Sequence, residues 1–290
     1  MMKTSFRDRL KESESYRIFK VMTKNRAALI GLVIFILLII VAILAPIIAP
    51  YDPNAQNIPN RLAQPSSSHL LGTDEFGRDI LSRIIWGTRI SLIVGFSVVA
   101  ISISIGIIVG AVSGYYGGRV DTFLMRITDV FLSFPGLILA IGIMVILGPS
   151  LTNLILTLGI ISWPTATRVV RGQALSIRDA DYIQASKAIG TSGIKIILEH
   201  IIPNTISPVI IVATLGMGFA ILAEAGLSFL GLGVVPPTPS WGSMISEGRT
   251  YFLVSPNMMT FPGLAISITV LAFNVIGDGL RDALDPSLRI

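Results

Sequence analysis

The stretch "DADYIQASKAIGTSGIKIILEHIIPN", residues 179–204, is a charged interruption between two of the most apolar regions of the chain. Asp181 and, three residues later, Gln184 fit a helix N-cap and its capping-box partner. Gly190 suits the left-handed residue that ends a helix. The pattern therefore predicts a short helix over 181–190. The face that it should present is made by Tyr182, Ala185, Ser186 and Ile189.

A second short helix is predicted to begin at Thr191 or Ser192 and to end before Pro203. Its apolar stripe would consist of Ile194, Ile197, Leu198 and Ile201. Two interpretations of the helix pair are open. One is an amphipathic connector that lies on the lipid surface. The other is a docking element for a cytoplasmic partner, since the small residues Ala185, Ser186 and Ala188 allow close approach.

The composition of the chain points to a membrane protein. Its 290 residues are 52% hydrophobic, with a mean hydropathy of +0.77. Charged residues are 13% of the chain, against roughly 25% in a soluble protein. The chain has no cysteine, which excludes a disulfide, a thiolate nucleophile or a cysteine-type zinc site. With His69 and His200 as the only histidines, a histidine-based metal site is also disfavoured.

Charge-free runs long enough to cross a membrane predict six spans in an all-α polytopic fold. We expect an N-terminal tail over 1–26 and a C-terminal tail over 282–290, and a permease core over 90–281. The expected loops are 50–89 and 224–259 on one side and 168–204 on the other. The first span is too long for a signal-peptide core, so we expect an uncleaved anchor. The expected spans are 27–49, 90–113, 130–147, 151–167, 205–223 and 260–277.

The distribution of basic residues orients these spans. If the N-terminus is cytoplasmic, 17 lysines and arginines fall on the inner side and 5 on the outer side. This bias follows the positive-inside rule, so both termini are predicted to be cytoplasmic. The net charge of +5 is then explained by topology, and no nucleic-acid partner is needed. The opening stretch becomes the longest cytoplasmic loop.

The loop resembles a motif of a known family. The order Gln184-Ala185-Ser186, Gly190 and then Ile201-Ile202-Pro203 is similar to the "EAA" loop of bacterial ABC importer permeases. Further blocks resemble the dipeptide/oligopeptide/nickel branch, of the DppC/OppC type. They are "LGTDEFGRDILSRIIWGTRISL" (71–92), "SFPGLILAI" (133–141), "LSFLGLG" (227–233), "PPTPSWGSMI" (236–245) and "GDGLRDALDPSLR" (277–289).

This resemblance implies a bacterial inner-membrane permease of the type I importer, MetI-like fold that forms half of a translocation pathway. The implied partners are a homologous second permease subunit, two ATP-binding subunits and an extracytoplasmic substrate-binding protein. The loop helix would couple to an ATPase. Gln184 departs from the family's Glu and Ser186 from its second Ala, so no acidic side chain is available there. The implied coupling residues are Asp181, Tyr182, Gln184, Ala185, Ser186, Lys187, Ala188, Ile189 and Gly190.

Motifs that the sequence lacks argue against several other functions for this chain. No G-x-x-x-x-G-K-[ST] phosphate loop is present, so ATP and Mg are expected on partner subunits, with no cofactor or metal on this chain. An intramembrane hydrolase lacks a base, because neither histidine lies in a span. A secondary transporter or channel stays open as an alternative, although the span interiors hold no ionisable residue to carry ion coupling.

Three residues are candidates for movement in the transport cycle. Prolines and glycines within spans either let helices pack closely or permit kinks, and Pro135 and Gly136 of the third span are the best kink candidates. Glu224, at the end of the fifth span, is a possible gate residue; interfacial or structural pairing is the alternative role. Arg126 could pair with Asp129, three residues away. The expected cargo is a dipeptide or oligopeptide, with nickel, a nickel chelate or glutathione as the alternative.

Overall fold

The computed structural model describes residues 25–284, and this part of the chain is almost wholly helical. The expectations for the tail over 1–24 and for residues 285–290 lie outside the described residues. Short 3-10 turns occupy Ile58–Asn60 and Arg249–Tyr251. The helices are α1 Arg26–Ile48, α2 Ile80–Tyr116, α3 Gly118–Ser133, α4 Gly136–Leu147, α5 Leu151–Ile177, α6 Asp181–Ala188, α7 Gly193–Ile196, α8 Ile202–Phe229, α9 Trp241–Gly248 and α10 Asn257–Leu284.

Fewer than the six expected spans are clearly long and apolar enough to cross a membrane. Between residues 25 and 284, four helices are long and apolar enough to cross a bilayer: α1, α2, α10 and the continuous helix Gly193–Phe229. Counting α3 and α4 as one bent span raises the number to five. The expected fourth span belongs to α5, which is long enough at 27 residues. Its asparagine, serine, threonines and two arginines lower its apolar character.

The expected third span, 130–147, is not one helix. It divides into the end of α3 and the whole of α4, whose axes meet at 86°. Pro135 causes the break, because its ring cannot continue α3 and holds the preceding residue in an extended conformation. Phe134 accordingly has φ −96° and ψ 138°. The kink expected at Pro135-Gly136 is therefore a sharp turn between two helices.

Helix α2 begins ten residues earlier than the expected second span. The side chain of Asp79 accepts a hydrogen bond from the Ser82 backbone N–H at 2.8 Å, which caps the helix and starts it at Ile80. Residues 50–79 before it are mostly irregular, as their proline, asparagine and serine content predicts. The last ten residues of the loop expected over 50–89 are thus helical, which is nearly three turns.

Helices α2 and α5 form the closest-packed pair in the bundle. Gly106, Gly110 and Gly114 recur every fourth residue on one face of α2. A Cβ on Gly106 would lie 2.5 Å from the Cβ of Ala166, and one on Gly110 would lie 2.6 Å from the Thr167 carbonyl oxygen. These glycines let the two backbones approach closely, as small residues do in membrane helix pairs.

The loop predicted over 168–204 is helical at both of its ends, which was not expected. Helix α5 runs on to Ile177, and Pro203 does not end a helix. Instead α7, a π turn over Ile197–Ile201 and α8 form one helix, Gly193–Phe229. The wider π turn accommodates the missing N–H of Pro203, and the Asn204 side-chain amide donates to the His200 carbonyl oxygen at 2.7 Å. The second short helix of the loop is therefore continuous with α8.

Candidate coupling surface and transport cavity

Helix α6 is fixed to the bundle by one side. Ile183 is fully buried and belongs to a cluster with Ala111 of α2, Val170 of α5 and Val209 of α8. Ile196, Ile197 and Ile201 join the same cluster from α7 and the π turn. Burying side chains of this size contributes about 1.5–3 kcal/mol each, so α6 and α7 are held firmly against three long helices.

The opposite side of α6 is open. Tyr182, Ala185 and Ile189 are exposed, as the predicted face requires, and Ile189 is 82% exposed. The predicted stripe of the second helix is split: Ile197 and Ile201 are buried, whereas Ile194 and Leu198 are exposed at 67% and 60%. We call the exposed set Tyr182, Ala185, Ile189, Ile194 and Leu198 the coupling surface.

The N-terminal end of α6 differs from the prediction, whereas its C-terminal end agrees with it. Asp181 is the first helical residue and not the N-cap, which is Ala180 with no side-chain hydrogen bond. Gln184 is not a capping-box partner; its side-chain amide donates to the Arg178 carbonyl oxygen at 3.2 Å. At the other end Gly190 has φ 82°, which confirms the predicted left-handed stop.

The remaining predicted coupling residues lie around this helix with distinct contacts. The Lys187 ammonium is 3.4 Å from the Arg178 carbonyl oxygen and 5.5 Å from the ring centre of Tyr115. The Ser186 hydroxyl donates to the Tyr182 carbonyl oxygen at 3.0 Å and lies 3.4 Å from Nε2 of His200. Ala188 is exposed beside them.

A cavity of about 400 Å³ opens halfway along α2. Its walls come from α2, α5, α8 and the bend between α3 and α4. None of the described residues that line it is ionisable, and its polar groups are the hydroxyls of Ser102, Ser162 and Thr165. The volume lies within the range of about 300–1,000 Å³ that is usual for small-molecule sites.

The helix break at Pro135 forms part of the cavity wall. Phe134, in the extended link, and Gly136, the first residue of α4, both line it. A Cβ placed on Gly136 would have the side chain of Ile161 as its nearest neighbour, at 3.8 Å, so this position is not crowded. The structure thus places Gly136 in the cavity wall and Pro135 between two lining residues, and it does not bring the coupling surface there.

Two ion pairs join α3 to α5 on the side of the cavity that faces α6. Arg171 binds Asp121 through two hydrogen bonds of 2.5 and 2.6 Å, and Asp121 also accepts a hydrogen bond from Ser113. Arg168 donates to Asp129 at 2.8 Å. Asp129 therefore pairs across helices and not with Arg126, because the arginine of the neighbouring helix reaches it.

Glu224 lies five residues before the end of its helix. It lies within α8 and is fully buried. The Ser228 hydroxyl donates to one carboxyl oxygen at 2.7 Å, while the other oxygen has no hydrogen-bond partner among the described residues. Beside it, Gly242 of α9 packs directly on the backbone of Ala225. The candidate gate residue is therefore at the contact between α8 and α9.

A charged cluster joins residues 74–83 to α9, and sequence reasoning missed it. Glu247 of α9 accepts hydrogen bonds from Arg78 at 2.9 Å and from Arg83 at 3.3 Å, and Arg78 also binds Asp74. Carboxylate oxygens of Asp74, Glu75 and Glu247 lie within 4.8 Å of one another, a spacing that could hold a metal ion. The two guanidinium groups already supply positive charge there. The motif "GTDEFGRD" was the available signal, since charges are rare in this chain.

Comparison with known proteins decides the family. The profile described as "Binding-protein-dependent transport system inner membrane component" matches residues 102–290. The chain belongs to this family. A second profile, "N-terminal TM domain of oligopeptide transport permease C", matches residues 15–65. The chain is thus a multi-pass inner-membrane permease component of an ABC importer, which is a non-catalytic class of subunit, and the predicted resemblance is confirmed.

Similar permeases cover nearly the whole chain. The dipeptide transport system permease protein DppC of Alkalihalophilus pseudofirmus is 46% identical, over 93% of this chain and 89% of its own length. DppC of Haemophilus influenzae is 45% identical, over 92% of each chain. The glutathione transport system permease protein GsiD of Escherichia coli is 44% identical, over 95% of this chain and 90% of its own.

A solved structure supports the fold of this permease. An inward-facing structure of the MetNI methionine ABC transporter has a TM-score of 0.57 and covers 70% of this chain and 97% of the matched chain. At 20% identity this similarity concerns the fold alone. The predicted all-α, MetI-like permease fold is confirmed, with fewer clearly apolar spans than predicted.

Proposed function

We propose that this chain forms half of the translocation pathway of an ATP-driven importer for dipeptides and oligopeptides. The observation that carries the proposal is the pair α6–α7, anchored by Ile183 and Ile196 but exposed on its other side. An apolar surface that is packed against α8 and lacks a partner within the described chain suits a separate ATPase subunit. Similarity to dipeptide permeases supports the choice of cargo.

In the proposed cycle, closure of two ATPase subunits on ATP and Mg moves α6. Ile183 of α6 packs in one buried cluster with residues of α7 and the π turn. Because α7, the π turn and α8 form one helix, this movement passes through that cluster to a wall of the cavity. The second permease subunit completes the pathway, and an extracytoplasmic binding protein delivers the peptide. The N- and C-termini are both cytoplasmic in this scheme. No residue of this chain acts as acid, base or nucleophile.

The coupling surface is tested with the complete transporter in proteoliposomes. Ala185→Arg places a charged side chain at the centre of the exposed face of α6. It should abolish peptide uptake and the vanadate-sensitive ATPase activity that the loaded binding protein stimulates, because it blocks close approach. Thr122→Arg, at an exposed position on α3, adds the same charge outside this surface and should retain both activities. Normal coupling in Ala185→Arg would refute the docking role.

Glu224 is assigned to the outer gate. Its support is complete burial at the contact of α8 with α9, together with one carboxyl oxygen that has no partner in the described chain. Burying a polar oxygen without a hydrogen bond is costly, so a second state in which this oxygen gains a partner would be favoured. Glu224→Gln preserves the shape and should slow uptake while peptide-stimulated ATPase activity persists. Unchanged uptake would leave Glu224 with a structural role alone.

Glutathione is the second candidate cargo, because the similarity to the GsiD permease is nearly as high as that to the dipeptide permeases. Competition between a labelled dipeptide and unlabelled glutathione during uptake distinguishes the two. Nickel or a nickel chelate is tested in the same assay. Uptake driven by a proton gradient without ATP would instead indicate a secondary transporter.

A further inference from the structure

The ion pair Asp129–Arg168 lies next to the transport cavity and differs from the other ion pair between the same helices. Arg168 is three residues after Thr165, and Asp129 three residues before Leu132. Thr165 and Leu132 both line the cavity. Residues three apart share a helix face, so the pair lies one turn beyond the cavity wall, on the side of α6. Along the described helices, Asp129 and Arg168 are the first charged residues between the cavity and α6.

The pair is poorly suited to holding α3 and α5 together. The side chains of Arg168 and Asp129 are 57% and 55% exposed, respectively, and share a single short contact. Exposed pairs of this kind contribute little to stability. The nearby pair Asp121–Arg171 already joins the two helices, with two hydrogen bonds, a third from Ser113 and much lower exposure. The structural role is therefore filled without Asp129 and Arg168.

The cavity and the pair have complementary chemistry. The cavity offers hydroxyls and apolar groups but no charge among its described lining residues. The pair offers one carboxylate and one guanidinium, and each is satisfied by the other when no ligand is present. A zwitterion brings the same two charges. Its carboxylate can bind Arg168 while its ammonium group binds Asp129, so every charge keeps an opposite partner. A molecule with one charge would leave either Asp129 or Arg168 without an opposite charge.

We propose that Asp129 and Arg168 form a binding site for the two charged ends of a peptide as it leaves the cavity. Arg168 receives the terminal carboxylate through its planar guanidinium, which suits paired hydrogen bonds. Asp129 accepts hydrogen bonds from the terminal ammonium group, and the peptide side chains occupy the apolar cavity. This assignment rests on the proposed function, because it needs a peptide as the cargo.

The test uses a dipeptide that carries photo-leucine and the complete transporter in proteoliposomes. Irradiation during ATP-driven turnover should label segments of α3 and α5, which mass spectrometry locates. An unblocked dipeptide should compete for labelling at least about tenfold better than the same dipeptide with an acetylated N-terminus and an amidated C-terminus, since both charge-assisted contacts are lost. Competition is measured on the unaltered protein and so does not depend on the folding of a variant.

The variants Asp129→Asn and Arg168→Gln each remove one charge with little change in shape. Each should lower labelling and uptake by about tenfold or more, and binding-protein-stimulated ATPase activity should persist. Arg119→Gln removes an exposed charge near the start of α3, ten residues from Asp129, and should behave like the unaltered protein. This comparison separates loss of the site from a general effect of charge.

The outcomes separate this assignment from the proposed function. Equal competition by blocked and unblocked dipeptides, or unaltered labelling and uptake in both variants, would overturn the assignment while leaving peptide import in place. Failure of the unaltered transporter to take up any dipeptide or longer peptide would overturn the proposed function, and the assignment with it.

Discussion

The indole N–H of Trp241 donates a hydrogen bond to the main-chain carbonyl oxygen of Ile84 at 3.1 Å, and this contact joins α9 to α2. Trp241 is almost completely buried, and Gly87 leaves the space for its ring: a Cβ there would lie 2.8 Å from it. Glu247 of the same helix binds Arg83 of α2. Helix α9 is therefore fixed to the first turns of α2 by a buried ring and by an ion pair.

Replacement of Trp241 should separate the hydrogen bond from the packing. Trp241→Phe keeps most of the buried surface and should lower the free energy of unfolding by about 1 kcal/mol. Trp241→Ala leaves a cavity and should cost about 3–5 kcal/mol. Thermal unfolding of the purified protein in detergent shows which of the two variants loses more stability. Equal losses in both variants would show that the hydrogen bond, and not the ring volume, dominates.

Glu75 should make stability depend on pH. Burial raises the pKa of its carboxyl above the ordinary value of 4.5, and the nearby carboxylates of Asp74 and Glu247 raise it further. Between 4.5 and the higher folded-state pKa, the folded protein binds more protons than the unfolded chain. Its stability should therefore decrease as pH rises through this window and level off above it. Glu75→Gln should remove this contribution, as unfolding at a series of pH values can measure; an unchanged slope would contradict it.

Gly190 should tolerate only residues that accept a left-handed backbone. Its φ of 82° ends α6, and no described heavy atom lies within 4 Å of a Cβ placed there, so conformation rather than space is limiting. Gly190→Val should cost about 1–2 kcal/mol or more locally, and Gly190→Asn less, since Asn visits this region more readily. Amide hydrogen exchange across α6 should be faster in Gly190→Val than in Gly190→Asn. Equal protection would show that the left-handed stop does not hold the helix.

The glycine face of α2 should be intolerant of large side chains. Gly110→Leu forces α2 away from the Thr167 carbonyl oxygen and Val170 of α5 and should lower both folded yield and thermal stability. Gly142→Leu is the matched control, because no described atom of a neighbouring residue lies within 4 Å of that Cβ. Size-exclusion profiles and unfolding temperatures measure the difference. Similar behaviour of the two variants would mean that α2 and α5 are not held at the observed distance.

Local sequence patterns were enough for the class of protein and for the presence of α6. Apolar runs, basic-residue bias and motif order depend on composition and short spacing, and they predicted a helical permease with a helix ended by Gly190. Pro135 likewise marked the position of a break, since proline acts through its own backbone. These properties depend on composition, run length and the order of short motifs along the chain, so no knowledge of distant contacts is required.

Tertiary structure alone decided which charges meet. Asp129 pairs with Arg168, 39 residues away, in place of the nearby Arg126, and Glu247 meets Arg83 across 164 residues. It also decided that Ile197 is buried while Leu198 is exposed, and that α8 continues through Pro203. Such outcomes depend on where separate helices cross and how they share space. Sequence supplied the charges and apolar faces of this protein, whereas the packing of its helices selected their partners.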